Sequence, residues 1–176
     1  MRVLGHRNVY DGKVLSLHVD DVEEPGGVRA IREVVRHHGS VAMLAVSADD
    51  RVVLVRQYRY AVDEALWELP AGRLDSGETP EQGARRELLE EVGLEAETVE
   101  RIALFYTTPG FCDELMHVFR ATGLRQVPPQ PEDDERIEPR WFGLDEALSM
   151  IERGEIKEGK TLVALLGEHN RRARRT

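Results

Sequence analysis

Cysteine and long apolar runs are the scarcest features of this sequence. The single cysteine, Cys112, excludes a disulfide within the chain and is typical of a protein from a reducing compartment. No apolar run approaches the roughly 20 residues that a membrane-spanning helix needs, and Met1–Tyr10 lacks the apolar stretch of a signal peptide. We therefore expect a cytoplasmic protein that has no membrane partner.

Positive charge is also scarce. Lysine and arginine number 24 against 33 aspartates and glutamates, which gives a net charge of −9 at pH 7. A protein with this charge is repelled by the phosphates of nucleic acids, so we expect no nucleic-acid partner. If the substrate is itself an anion, cations must mediate its binding.

The 176 residues fit one domain with an extension. In the extension, Lys13–Val19 and Ile31–Arg36 alternate apolar and polar residues, and a Pro25-Gly26-Gly27 turn lies between them. We predict an N-terminal β-strand extension at residues 1–38 and one domain at residues 39–176.

The predicted domain mixes strands and helices without a regular βαβ alternation. Strands are predicted at Val41–Val46, Val52–Val55, Leu66–Leu69, Ile102–Tyr106, Leu115–Phe119 and Trp141-Phe142. Amphipathic helices are predicted at Leu144–Arg153 and Leu162–Asn170. This order predicts an α+β (mixed α/β) fold with a mixed sheet rather than a doubly wound one.

A further helix has clear signals at both ends. Thr79 suits the N-cap, Pro80 the first helical position and Gln82 a capping box with Thr79, while Gly93 suits the position after the last turn. We predict a helix that begins at Pro80 and stops at Gly93.

The last turns of this helix carry Glu87, Glu90 and Glu91 on one face. Each carboxylate there should cost about 0.3–1 kcal/mol against the helix dipole, and Glu87 and Glu91 repel each other by roughly 0.2–0.5 kcal/mol. A divalent cation such as Mg²⁺ or Mn²⁺ would offset this cost. The alternative is an acidic helix face that is simply solvated.

The segment GRLDSGETPEQGARRELLEEVGL, Gly72–Leu94, resembles a complete Nudix box. The matching positions are Gly72, Glu78, Arg86-Glu87-Leu88, Glu90-Glu91 and Gly93-Leu94. The resemblance implies an α/β/α sandwich with a mixed sheet. It also implies hydrolysis of a nucleoside diphosphate linked to another moiety.

The resemblance assigns roles within the box. Two or more Mg²⁺ ions, with Mn²⁺ as an alternative, are expected at a site whose ligands are Ala71 through its carbonyl oxygen, Glu78, Glu87, Glu90 and Glu91. Arg86 would orient the carboxylates by charge-assisted hydrogen bonds. Glu78 would brace the loop against the helix and reach a metal through water.

Beyond the box the chain resembles the ADP-ribose pyrophosphatase branch of the family. Pro109 lies fifteen residues past Leu94, and VRQYRYA, LWELPAG and REVVRHHGSVAML precede or enter the box. The resemblance implies hydrolysis of ADP-ribose to AMP and ribose 5-phosphate. An ordinary turn is the alternative interpretation of Pro109-Gly110.

Seven residues are expected to contact the substrate: Glu33, Arg56, Arg59, Glu68, Pro109, Gly110 and Glu114. Arg56 and Arg59 would bind phosphate through bidentate guanidinium contacts, or they are exposed arginines at a strand end. Glu68 would accept hydrogen bonds from a base or ribose, or it faces solvent. Glu114 would contact the terminal ribose or a metal-bound water.

Glu135, in the acidic loop Pro131–Glu138, is implied as the catalytic base, with Glu90 as its rival. The resemblance also implies a homodimer in which the extension carries Glu33 or a neighbour to the partner's substrate; the alternative is that the extension covers the sheet of its own domain. Other nucleoside diphosphate sugars or dinucleotides are alternative substrates. A Nudix module that senses a nucleotide without cutting it is the alternative from another class.

Overall fold

The computed structural model describes residues 1–128 and 137–174, in which ten strands and three α-helices occur. The strands are β1 (Arg2–Asp11), β2 (Leu15–Glu23), β3 (Arg29–His37), β4 (Ser40–Ala45), β5 (Arg51–Arg59), β6 (Glu64–Glu68), β7 (Ala71–Arg73), β8 (Leu94–Tyr106), β9 (Leu115–Gln126) and β10 (Glu138–Gly143). The helices are α1 (Pro80–Val92), α2 (Leu144–Glu152) and α3 (Gly159–Ala173).

The first of two compact units comprises Met1–Gly39 and Phe105–Leu115. Its strands β1, β2 and β3 form an antiparallel sheet in that order. The two predicted strands are confirmed as β2 and β3, but β1 was not predicted because its residues are nearly all exposed and show no alternation. Phe105–Leu115, which the sequence places in the domain at residues 39–176, groups with the extension in this unit.

The second unit comprises Ser40–Leu104 and the described residues from Met116 onward. Its four-stranded sheet has the order β7-β4-β9-β8 and is mixed, because β4 pairs parallel with β9 and antiparallel with β7. A second, antiparallel sheet has the order β10-β5-β6. The α+β class and the mixed sheet are confirmed, whereas the division of the strands into separate sheets was not predicted.

The core of this unit lies against β4, which is buried at all six positions. Val41, Met43 and Ala45 pack with Ala84 and other apolar residues of α1. Because strand side chains alternate, the remaining residues of β4 face away from α1. Helix α3 also packs against β4. Coverage of both faces explains why β4 is a continuous apolar run.

Helix α1 begins and ends where its caps predict. The Thr79 side chain accepts from the amide of Gln82, and the Gln82 side chain accepts from the amide of Thr79, which completes the capping box. Gly93 has the left-handed backbone that ends the helix. The caps thus set the position of the glutamates in the last turns.

Candidate active site

Glu87 and Glu91 lie on the buried side of α1, with 7% and 5% of their surface exposed. The Glu91 carboxylate accepts a hydrogen bond of 3.1 Å from the amide of Ala71 in β7. The Glu87 carboxylate occupies the space beside Gly72, where an added Cβ would lie 1.9 Å from its Oε1. The absence of a side chain at Gly72 therefore lets α1 bring a carboxylate directly against the backbone of β7.

Arg86 links the acidic residues of the site. Its guanidinium donates two bonds of 3.0 Å to Glu78, one of 2.8 Å to Glu87, one of 3.0 Å to Glu90 and a fifth, of 2.9 Å, to the carbonyl oxygen of Arg73. The hydrogen bonds that Arg86 donates to Glu78 and the charge of Glu87 raise the pKa of Arg86. The hydrogen bond from Arg86 lowers the pKa of Glu78, so the bridge stays ionic at neutral pH.

These contacts are those that an orienting arginine and a bracing glutamate require. Glu78 also accepts from the amide of Asp75, so it holds the loop that precedes α1 to the helix. The catalytic role of Arg86 and the metal-binding roles of the acidic residues remain predictions.

The donors at this site have the chemistry of a hard divalent cation site. Glu87, Glu91 and the carbonyl group of Ala71 offer only oxygen, the element that Mg²⁺ and Mn²⁺ prefer. Within residues 1–128 and 137–174, no three acidic, histidine or cysteine side chains already stand as a metal-ligating cluster. Arg86 and the Ala71 amide hold the carboxylates instead, so a cation would replace some of these contacts.

Arg59 and Glu68 form a second charged group in the same unit. Glu68 is fully buried, and it accepts 2.8 and 2.6 Å bonds from Arg59 and a 2.7 Å bond from Lys160. Burial acts to raise the pKa of Glu68, but the bonds from Arg59 and the charge of Lys160 outweigh it and lower the pKa. Both carboxylate oxygens of Glu68 have protein donors, and its expected contact with a base or ribose stays a prediction.

The structure separates Arg56 from Arg59. Arg56 stands opposite Trp67 and is exposed, whereas Glu68, the partner of Arg59, stands opposite Val55. Since side chains alternate along a strand, the two arginines point to opposite faces of β5. Val55 belongs to the core that packs on α1, so Arg59 is the one on the side of the carboxylate helix.

Four other expected substrate residues lie in the first unit. Glu33 is exposed on β3, and Pro109-Gly110 lies in a turn closed by hydrogen bonds from the amides of Phe111 and Cys112 to the carbonyl of Thr108. Glu114 accepts a 2.8 Å bond from the hydroxyl of Thr107. Their substrate contacts stay predictions.

Asp113, the neighbour of Glu114, has a structural role in this turn. The Asp113 carboxylate accepts from the Arg36 side chain and from the amide of His37, which ties this turn to β3. Burial acts to raise the pKa of Asp113, but these two hydrogen bonds outweigh it and lower the pKa. Sequence analysis missed this residue, because its role depends on a strand far away in sequence.

A comparison with protein-family models matches residues 36–165 to the NUDIX domain. The chain belongs to the Nudix family. The matched range covers most of the chain and contains the whole Gly72–Leu94 segment, so the Nudix resemblance of the sequence is confirmed.

Relatives cover nearly the whole chain. The ADP-ribose pyrophosphatase of Bacillus subtilis (strain 168) is 40% identical over 166 residues, which span 93% of this chain and 90% of that protein. The methanol dehydrogenase activator of Bacillus methanolicus is 41% identical over 159 residues, with 89% and 86% covered. A crystal structure of an ADP compounds hydrolase aligns with a TM-score of 0.84 and 23% identity over 96% of this chain and 92% of that one, so the fold is shared.

Glu135, the expected base, lies outside the described residues. In the part of the chain that is described, no helix is both long and apolar enough to cross a membrane.

Sequence reasoning missed the first turn of α3 as a part of this Nudix unit. Lys160 is 7% exposed and Thr161 is fully buried. The Thr161 hydroxyl accepts a 2.9 Å bond from the amide of Leu69, just before β7. One signal was present in the sequence: Glu158 precedes the predicted helix, and it is the residue whose side chain caps α3.

Proposed function

We propose that this protein hydrolyses the diphosphate linkage of ADP-ribose to AMP and ribose 5-phosphate in the presence of a divalent metal ion. The observation that carries the proposal is the set of box glutamates bridged by Arg86 beside Ala71-Gly72. Identity of 40% to an ADP-ribose pyrophosphatase over nearly the whole chain supports this substrate.

The metal would be held by Glu87, Glu91 and the carbonyl oxygen of Ala71, with Glu90 and Glu78 nearby. Mg²⁺ is the expected ion and Mn²⁺ the alternative, with two or more ions per site. When bound, it neutralises the charge of the diphosphate and lowers the pKa of water, which makes hydrolysis feasible at neutral pH.

The chain's own residues bind and orient the substrate and handle the proton. Arg59 has a 40% exposed side chain on the α1 side of β5 and binds a phosphate oxygen. Arg86 keeps the glutamates in place before substrate arrives, so little reorganisation is needed at reaction. Glu135 removes the proton of the attacking water, with Glu90 as the rival base.

Assembly and alternative functions belong to the same proposal. We expect a homodimer whose residues 1–38 carry Glu33 to the partner's substrate, because three strands rich in exposed apolar residues need a covering surface. Other nucleoside diphosphate derivatives are the nearest alternative substrates. A sensing or activating role is a further alternative, since one relative is named as an activator, but intact box glutamates favour catalysis.

The test is a panel of diphosphate compounds offered with Mg²⁺ and a phosphatase that releases phosphate only from cleaved products. We expect ADP-ribose to give a kcat/KM at least about tenfold above GDP-mannose and diadenosine diphosphate, and activity to vanish with a chelator. A higher kcat/KM for another compound would identify that compound, and not ADP-ribose, as the preferred substrate. No cleavage of any compound would favour the sensing alternative.

A further inference from the structure

Lys160 is buried in a position that is costly for a lysine. Lysine is among the residues least often buried, yet only 7% of Lys160 is exposed. It also lies in the first turn of α3, where the positive end of the helix dipole disfavours a cation. Such placement needs strong local partners to offset it.

Two carboxylates supply these partners. The Lys160 Nζ donates a 2.7 Å bond to Glu68 Oε2 and lies 3.2 Å from Glu158 Oε2. Glu158 is also the N-cap of α3, because its carboxylate accepts from the amides of Lys160 and Thr161. The negative cap brings a compensating charge to the end of the helix that holds the lysine.

Glu68 connects Lys160 to Arg59 through hydrogen bonds to both side chains. Its Oε2 accepts from both Lys160 and Arg59, and its Oε1 accepts from the Nε of Arg59. The two parallel bonds fix the plane of the guanidinium. Because Lys160 and Arg59 both donate to Oε2, the contact with Lys160 restrains the carboxylate that holds Arg59.

Arg59 lies on the α1 side of β5 and keeps an open edge of its guanidinium. Only two of its five N–H groups are used on Glu68, and among the described residues the guanidinium has no other side-chain hydrogen bond. Its side chain remains 40% exposed. The hydrogen bonds to Glu68 outweigh burial and raise the pKa of Arg59, and the charges of Glu68, Glu91 and Glu158 act in the same direction.

We infer that Lys160 is a positioning residue of the diphosphate site: acting through Glu68, it holds Arg59 in the orientation in which its open edge binds a phosphate oxygen. This inference rests on the proposed function for the role of Arg59 as a phosphate ligand. It adds the first turn of α3 to the elements that build the site.

The experiment is a double-mutant cycle with Lys160→Met and Arg59→Ala in the full chain. Methionine keeps the length and much of the volume of lysine, so a cavity is avoided. Binding of α,β-methylene ADP-ribose, which cannot be cleaved, is measured by calorimetry, and KM and kcat are measured with ADP-ribose. Lys160→Met should weaken the hydrogen bond between Arg59 and a phosphate oxygen. Loss of one hydrogen bond to a charged group predicts an increase of about tenfold in Kd and KM, with a smaller change in kcat.

The cycle separates positioning from mere stability. If Lys160 acts through Arg59, Lys160→Met changes Kd little in the Arg59→Ala background, because its target is already absent. If it acts on stability alone, Kd is unchanged in both backgrounds while the melting temperature falls, and the inference is wrong. Equal, additive increases in Kd in both backgrounds would also overturn it.

Two further variants complete the design. Lys157→Met is the matched control, because Lys157 is half-exposed and, among the described residues, pairs only with Glu64 on the surface at 2.7 Å; its Kd should equal that of the wild type. If Lys160→Met does not fold, Lys160→Gln retains a donor for Glu68 and is expected to give a smaller increase in the same direction; an unchanged Kd in this variant overturns the inference.

The wild-type arms distinguish failure of the inference from failure of the proposed function. If the wild type binds the analogue and the mutant cycle shows coupling between Lys160 and Arg59, but ADP-ribose is not cleaved, the proposed reaction is refuted and the positioning role stands. Wild-type protein that does not bind the analogue overturns both.

Discussion

Replacement of Gly72 by alanine is expected to damage the site while leaving the fold intact. The φ of Gly72 is outside the left-handed region, so its backbone accepts alanine without strain. The obstacle is the Glu87 carboxylate, since an added Cβ would lie 1.9 Å from Oε1, 2.2 Å from Cδ and 2.6 Å from Oε2. All three atoms are at the end of a flexible side chain, which will move before the backbone does.

The size of the movement sets the size of the effect. To reach an ordinary contact of 3.4 Å, Oε1 must retreat by about 1.5 Å from the position in which it meets Arg86. A displacement of about 1 Å at a reacting centre can cost about 100-fold in rate. We therefore expect kcat/KM to fall by about 100-fold or more and the Mg²⁺ concentration for half-maximal activity to rise.

The assay is steady-state hydrolysis of ADP-ribose over a range of Mg²⁺, with urea unfolding in parallel. Gly167→Ala is the matched control, because Gly167 lies in α3 with nothing within 4 Å of an added Cβ. This control should be stabilised by roughly 0.5–1 kcal/mol with unchanged activity. Normal kcat/KM in Gly72→Ala would refute the idea that Glu87 must rest against β7.

Three other perturbations test separate parts of the account. If Glu135 is the base, Glu135→Gln lowers kcat without changing Mg²⁺ affinity and Glu90→Gln is milder; the reverse order would transfer the role to Glu90. Deletion of residues 1–38 should lower the mass in solution and raise KM; an unchanged mass and KM would contradict the predicted homodimer. Burial acts to raise the pKa of Glu168, but hydrogen bonds from Arg171 and Arg172 lower it to about 2 from 4.5. The stability that ionised Glu168 contributes is therefore present above pH 4.5 and is lost as pH falls toward 2. Urea unfolding at several pH values should show that the free energy of unfolding falls less in Glu168→Gln than in the wild type over this range. Equal decreases in the two proteins would contradict this.

Local signals predicted the carboxylate helix well. Thr79, Pro80, Gln82 and Gly93 act within a few residues of the chain, so their meaning does not depend on the rest of the fold. The unfavourable position of the glutamates also indicated that a function outweighs helix stability. Arg86, which the Nudix resemblance implies as the orienting residue, donates hydrogen bonds to Glu87 and Glu90 in the structure.

Contacts between distant segments could not be predicted from the same signals. Glu68 and Lys160 are 92 positions apart. Each is of a residue type that usually lies at the surface, so the sequence gives no sign that they form a buried pair. Strand β1 likewise has no apolar alternation and forms through its pairing with β2. A requirement for glycine at Gly72 was visible in the sequence only as a resemblance, whereas the structure supplies its reason in the close approach of Glu87.

Product analysis of ADP-ribose hydrolysis by the wild type and Glu91→Gln tests the central claim most directly. Glutamine still offers an oxygen to the amide of Ala71, which now binds Glu91 at 3.1 Å, so the stability of the variant should hold or rise as repulsion with Glu87 is removed. We predict that the wild type with Mg²⁺ yields AMP and ribose 5-phosphate, and that Glu91→Gln is slower by several orders of magnitude. A near-normal rate for folded Glu91→Gln at saturating Mg²⁺, or products other than these two from the wild type, would contradict the account.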